Sequence, residues 1–500
     1  MIWNKDIKRP NYVFVDGMDE VTLSYNLRII KGFCSQNAVS EVVVYKTQLR
    51  SIPLIDFAST SFSGLRVRNW TASDTLQIWM SNPWSILSFL ARIGCLVLDA
   101  FGTDRPNLLD AGRWQKNPHR TAVQHGFWDA LYKKYGIVTD QFSIKQRLSI
   151  LNVFLRTAFR AEVISGGNCE AVFLGHNVYH MRVLADWANE NKVPLYLSAA
   201  YTLQLMPDRY SPPPAMLTSA TFNKLSKHVP LKEVLEAWDR RFDKSEIVKG
   251  GDIAKVIERA QKPKLNISEL GDFIAVFAPV FCDSPFGWLD RDRPFPDYYA
   301  WITTTVRWAM RTKTRLLLRL HPSASAWGES SRDILMRMLG LDVLPEFIII
   351  DDSDKYGHND VLMAARQIVT FRGTVHCEAV ALGVKPIVVS ACMLSMLLMD
   401  AVQKPKDVNH YFMLLAGPRV SAAASFMLTA KKALYYKENC VGFRCLVGVP
   451  TIFRGDPKRL KAQIADRVTE FAEAKHEQFV AIGERLAKRV IDQTTTLEFK

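Results

Sequence analysis

Short β-rich runs alternate with helical segments along this chain, and the alternation runs through twice with a polar break between. Such alternation constrains the fold strongly. A strand that returns parallel to its neighbour needs a crossover, and a helix supplies it, so the pattern reads as parallel sheets flanked by helices. In the first half the runs read as strands are 12-YVFVD-16, 41-EVVVYK-46, 95-CLVLDA-100, 171-AVFLG-175 and 194-PLYLS-198. Segments 21–33 and 178–190 carry apolar residues at helical spacing. A charged stretch over 243–271, with Gly250-Gly251 and Lys262-Pro263-Lys264, reads as a connection. The alternation restarts with 273-FIAVFAP-279, 315-RLLLRLHP-322, 347-FIIID-351, 367-QIVTF-371 and 386-PIVVS-390.

At 500 residues the chain exceeds one ordinary core. The expected architecture is α/β: two doubly wound, Rossmann-like domains facing a cleft, with a C-terminal helix. The expected boundaries are 1–260, 261–450 and a helical tail over 451–500. In that tail Leu460, Ile464, Val468 and Phe471 form one helical stripe behind Pro457, which suits a helix start. The stripe reads as a brace on the first domain or as a seam between copies. Ligands of open α/β sheets bind beyond the carboxyl ends of the strands, so the informative residues should follow the strands directly.

Charge narrows the partners. With 64 basic and 50 acidic side chains the net charge is +14, which favours anions: nucleotides, phosphorylated sugars, acidic lipid headgroups or nucleic acid. No zinc-finger spacing or arginine-rich tract marks a nucleic-acid reader. The eight cysteines are scattered without a CxxC, and MIWNKDIKRPN does not read as a signal peptide. The expectation is a cytoplasmic protein, with peripheral docking at the inner face of the membrane left open. Pro83–Phe101 contains Arg92 and Asp99, and the uncharged run 386–399 is short of the roughly 20 residues of a spanning helix.

Several strand ends carry candidate chemistry. After 367-QIVTF-371 come Arg372, Gly373 and Thr374, then a helical segment with Glu378 one turn inside. Arginine grips an oxyanion through two hydrogen bonds, glycine lets backbone approach a phosphate, and a helix start offers free N–H groups. On local pattern alone, Thr374 reads equally as an N-cap and Glu378 as a first-turn acid. Arg319 and His321 end another strand, and Asp283 and Ser284 lie in the loop after 273–279. In the first domain, Asp16, His125 and His176 sit near strand ends or turns and are the candidates for a catalytic base or nucleophile. His176 and His180 have i,i+4 spacing but lack the acid of an HExxH motif. No convincing metal set emerges.

Three blocks in order resemble the bacterial capsule and surface polysaccharide biosynthesis proteins of the GT-B glycosyltransferase type. They are 276-VFAPVFCDSPFGWLDRDRPFPDYYAWITTTVRWA-309, 316-LLLRLHPS-323 and 369-VTFRGTVHCEAVALGVKPIVV-389. The segment 170–197 resembles the first-domain strand and helix of that family. The resemblance implies a GT-B-like fold and transfer of a sugar from a nucleotide-activated donor to a growing surface polysaccharide or glycolipid. It implies donor binding by Arg319, His321, Arg372, Gly373, Thr374, Glu378, Asp283 and Ser284, with no cofactor beyond the donor substrate and no metal. It leaves open another GT-B enzyme (a nucleotide-sugar epimerase or a glycerophosphate transferase) and a non-catalytic assembly protein. The chain departs from the family pattern at 364-AAR-366, where an acid is usual, and at the apolar 390-SACMLSMLLMD-400.

Overall fold

A computed structural model of the chain describes residues 11–16, 20–45, 64–81, 83–101, 118–135, 142–166, 168–175, 179–199, 202–206, 219–240, 264–282, 293–295, 297–321, 324, 329–351, 355–390, 393–439 and 476–487. The first sheet contains β1 (Asn11–Val15), β2 (Val39–Val44), β3 (Arg66–Asn69), β4 (Cys169–Leu174), β5 (Leu195–Ala199) and β6 (Thr202–Met206). Their order is β3-β2-β1-β4-β5-β6, parallel throughout except for the β5–β6 hairpin. The second sheet contains β7 (Ile274–Phe277), β8 (Leu316–Arg319), β9 (Ile348–Asp351), β10 (Gln367–Thr370) and β11 (Ile387–Val388). Its order is β11-β10-β7-β8-β9, and every pair is parallel. The expected α/β class with two parallel-strand sheets is what the chain adopts.

Helices α1 (Glu20–Gln36), α2 (Ala72–Ser81), α3 (Pro83–Phe101), α4 (Pro118–Tyr135), α5 (Ile144–Ala161) and α6 (Met181–Glu190) accompany the first sheet. Beyond it come α7 (Ser219–His228), α8 (Leu231–Arg240), α9 (Tyr298–Thr312), α10 (Ser331–Leu339), α11 (His358–Ala364), α12 (Val375–Ala381), α13 (Met393–Leu397), α14 (Val408–Ala416), α15 (Ala424–Asn439) and α16 (His476–Ala487). The central strands IAVF, LLLR and QIVT are apolar almost without interruption, because helices cover both faces of a parallel sheet.

One expected strand is corrected. Residues 95–100 form the last turns of α3. A short apolar run such as Cys95 to Leu98 does not distinguish a buried strand from a helix, and here Pro83 opens a helix of 19 residues that carries straight through it. The short β3 and the antiparallel β6 were not expected, although TLQLM of β6 alternates as a strand does.

Helices α7 and α8 precede the expected boundary at 260, yet they pack on α15 beside the second sheet. Phe222 meets Tyr436 ring to ring at 5.4 Å, and Tyr435 donates to Glu233 at 3.0 Å. The two halves are not isolated cores. Tyr132 of α4 packs against Tyr299 of α9 with ring centroids 5.6 Å apart, inside an apolar cluster that runs from the first sheet to the second.

The last described helix, α16, lies on α1. Two glycines make the crossing close: a Cβ on Gly483 would stand 1.8 Å from the Ile29 carbonyl oxygen, and one on Gly32 would stand 1.9 Å from that of Val480. Lys31 Nζ donates to His476 Nε2 at 3.2 Å. The stripe Leu460–Phe471 lies outside the described residues. Replacing Gly483 with leucine should therefore separate α16 from α1 and lower stability by about 1–3 kcal/mol, as overpacking does, read by thermal melting.

Burial first, then the charges of Lys31 and Arg28, hold the His476 pKa below its ordinary 6.5. Between the two values the unfolded chain binds more protons, so acid weakens the fold. The contribution is complete above about 6.5 and is lost as pH falls towards the depressed value. His476→Gln should lose this part of the acid sensitivity, seen by comparing melting curves of the two proteins across that window.

Candidate functional site

In the second sheet, Phe277 pairs with Thr370 on one side and Arg319 on the other, and Arg319 pairs with Asp351. The carboxyl ends of β10, β7, β8 and β9 thus form one row. The chain runs outward from β7 through β8 to β9, then returns to the far side of β7 for β10 and β11. The order reverses between β7 and β10, and a crevice opens at such a switch point. The first sheet reverses in the same way between β1 and β4.

The turn after β10 is built from below. Phe371 is fully buried, with Tyr298 edge-on at 4.9 Å, Trp301 at 5.5 Å and the Arg293 guanidinium over its ring at 5.7 Å. Tyr298 and Trp301 come from α9, whose N-cap Asp297 accepts from the amides of Tyr299 and Ala300 at 2.9 and 2.8 Å. Trp301 Nε1 in turn donates to the Tyr411 hydroxyl at 2.9 Å. The Phe-Pro-Asp-Tyr-Tyr-Ala-Trp block singled out in the sequence is thus the buttress under the Arg-Gly-Thr turn.

On that buttress Arg372 is half-buried and donates to the Tyr298 hydroxyl at 2.5 Å. The Gly373 amide donates to Thr370 Oγ1 at 3.0 Å, and a Cβ at 373 would press on that oxygen at 3.0 Å. Thr374 takes helical backbone angles and its side chain makes no capping bond, so the capping reading of Thr374 is not realised. Glu378 is buried and its Oε2 lies 2.7 Å from His358 Nε2. His358 opens α11, and its ring stands edge-on to Phe277 at 5.7 Å, over the end of β7. The switch point between β7 and β10 therefore holds Arg372, Gly373, Glu378 and His358. His358 was not singled out from sequence; its only signal is that it follows the loop after a strand, as the other candidates do.

Arg319 and His321 part company. The Arg319 side chain is buried, 3.9 Å from Asp351 Oδ2, and donates to the Tyr356 carbonyl at 3.1 Å. It holds β8 to β9 at the rim. His321 is exposed two residues further on. Strand β8 is two strand spacings from β10, about 10 Å. Asp283, Ser284 and His176 lie outside the described residues. The loop leading to Asp283 is held by Glu329, which accepts from the amides of Phe281 and Cys282 at 3.0 and 2.6 Å.

On the first domain, Asp16 follows β1 at the switch point, buried, and accepts from the Gly175 amide at 3.4 Å just past β4. His125 lies elsewhere, on α4, and is almost fully buried. Next to it, a Cβ on Gly126 would stand 2.6 Å from the Tyr179 carbonyl oxygen, so α4 meets the turn before α6 backbone to backbone. Arg182, buried at the start of α6, pairs with buried Asp129 of α4 at 3.5 Å. Burial lowers the Arg182 pKa, Asp129 and Tyr179 oppose the shift, and Arg372 of the other domain adds to it by repulsion. Guanidinium groups from the two domains thus sense each other across the junction, a feature invisible in sequence. Among the described residues, no group of three His, Cys, Asp or Glu side chains is placed to hold a metal ion.

Removing one partner of a buried ion pair strands the other charge. Arg182→Met should destabilise the chain by about 3–5 kcal/mol, measured by chemical denaturation. The double variant with Asp129→Asn should recover part of that loss.

No protein-family model matches the chain. No curated protein matches it either. Solved structures with some likeness include the UDP-GlcNAc 2-epimerase of Methanocaldococcus jannaschii in complex with UDP-GlcNAc and UDP. It is 11% identical, covering 85% of this chain and 99% of that one, with a TM-score of 0.27. A putative UDP-N-acetylglucosamine 2-epimerase of Listeria monocytogenes is 12% identical over 93% and 97%, with a TM-score of 0.25. HepE of Anabaena, solved with UDP and glucose, is 9% identical over 96% and 99%, with a TM-score of 0.20. Scores this low add nothing to the fold, which rests on the two sheets of the chain itself.

Proposed function

We propose that the chain is a glycosyltransferase that takes a sugar from a nucleotide-activated donor and passes it to a surface polysaccharide or glycolipid acceptor. The observation that carries this reading is the switch point of the second sheet. There a buttressed Arg372-Gly373 turn adjoins a carboxylate, Glu378, held by His358. The basic turn suits a diphosphate, and a buried carboxylate one turn into the helix suits ribose hydroxyls, which donate. The leaving nucleotide gains negative charge as the glycosidic bond breaks, and donors already in place stabilise it without reorganisation. Arg372 supplies the opposing positive charge, and buried Arg182 of the first domain lies near enough to feel it. An anion between the two guanidinium groups offsets their repulsion.

The first domain takes the acceptor in this reading. An acceptor hydroxyl must lose a proton as it attacks, and a positioned base takes it. Asp16, at the switch point of the first sheet, is better placed for this than His125, which α4 buries. The net charge of +14 fits an enzyme working at an acidic membrane face. The donor site needs no metal here: fixed cations of the protein do the electrostatic work.

A thermal-shift panel of nucleotides and nucleotide sugars tests the reading. A true donor at a hundredfold excess over its Kd should stabilise the protein by about 2.7 kcal/mol. Product analysis then separates sugar transfer from epimerisation of the donor. Arg372→Ala should cost about 1.5–3 kcal/mol of donor binding or rate, the scale of a charged hydrogen bond. Glu378→Gln should weaken nucleosides with intact ribose more than their 2′-deoxy forms. A protein that no nucleotide stabilises, or that binds equally well with alanine at 372, is not this enzyme.

A further inference from the structure

Helix α3 was set aside in sequence as a membrane span, and among the described residues no helix is long and apolar enough to cross a bilayer. Yet its outer face is greasy. Trp84 is 77% exposed, Leu87 and Leu90 are each 56% exposed, and Leu98 is 63% exposed. With Phe101 they recur at three- and four-residue steps (Ala91, Gly94 and Cys95 filling the gaps), one stripe along the helix. Leu76 and Met80 of α2, which packs on α3 through Trp79 and Phe89, are also exposed. The opposite face of α3 is fixed to the protein. Leu96 and Ala100 are buried, and Arg92 turns inward to Glu190 and over the Trp187 ring.

The stripe continues onto α5. Arg147 donates to the Ala100 carbonyl at 3.1 Å, which ties the start of α5 to the end of α3. There Ile144 is 67% exposed, followed one turn on by exposed Leu148. The charges on α5 are Lys145, Arg147, Arg156 and Arg160, and its 18 residues include no acid. Lys145 and Arg156 are exposed, and exposed Lys134 of α4 reaches Ser149 of α5 at 2.5 Å. The described exposed positions of α2 and α3 carry no charge at all.

We propose that this face, α2, α3 and the start of α5, rests in the interfacial layer of an anionic lipid bilayer. The helix lies in the plane of the surface: apolar side chains enter the acyl boundary and the basic rim meets acidic headgroups. Trp84 at one end suits the headgroup level. A second copy of the chain fits this face less well. In a two-fold contact the face meets itself, and the described exposed positions of α2, α3 and α5 offer no acid to pair with the basic rim, whereas an acidic surface meets it with opposite charge. The inference gives the acidic-membrane part of the proposed function a location and rests on that part alone. The face shares no residue with the donor site, so vesicle binding and nucleotide binding can fail independently.

The test is flotation of the full chain with vesicles of phosphatidylcholine, with or without an equal share of phosphatidylglycerol. The protein should float with the mixed vesicles, and added salt should weaken that binding. The variant Trp84→Ser/Leu87→Ser/Leu98→Ser should bind the mixed vesicles at least tenfold more weakly while keeping its melting temperature and its nucleotide-induced shift. Lys145→Glu/Arg156→Glu, which leaves the apolar stripe intact, should lose most binding and most of the salt dependence. The proposal is overturned if the wild-type chain stays unbound with both vesicles, or if neither variant changes binding. It is equally overturned if the chain forms a dimer that the serine variant dissociates while vesicle binding is absent.

Discussion

Much of this molecule depends on the register of five parallel strands. Because Thr370, Phe277, Arg319 and Asp351 stand in one row, everything that follows those strands lands on a single rim. Parallel pairing makes this unavoidable, since each strand must be re-entered from the same end. The reversal of order beside β7 then decides where along the rim a ligand can sit. Arg372, Gly373, Glu378 and His358 gather there although 20 residues separate His358 from Glu378 in the chain.

The rim would be of little use if it were soft. Its central turn stands on Phe371, and Phe371 stands on Tyr298 and Trp301. Those two residues are aimed by the start of α9, where Asp297 satisfies two amides that the helix cannot. Trp301 then leans on Tyr411, a residue of α14 that is fully buried. Burial raises the pKa of Tyr299 and Tyr411, so both remain neutral donors. The chain thus uses aromatic residues, rigid and large in buried area, to hold one arginine and one glycine in place.

The junction between the halves combines the same two ingredients, aromatic packing and fixed charge. Tyr132 and Tyr299 join the cores, and the Arg372 charge adds to the depression of the Arg182 pKa across the junction. Apolar contact sets the distance between the domains.

The sequence by itself determined the class of fold and the candidates around Arg372. Both depend on local rules: apolar runs of strand length, breaks at glycine and proline, and the residues just past a strand. Even there it misread 95–100, because four apolar residues in a row, Cys95 to Leu98, are too few to show whether their period is that of a strand or a helix. Tertiary structure alone decided which candidates meet. Arg319 and His321 are neighbours in sequence, yet one is turned inward to Asp351 and the other faces solvent. No local signature showed what His358 and Arg182 pair with, and the helical period of the α3 stripe did not say whether another element covers it. A carboxylate partner 20 residues away, a guanidinium on another domain, and an apolar face left uncovered are facts of packing, set by long-range contacts that no window of sequence contains.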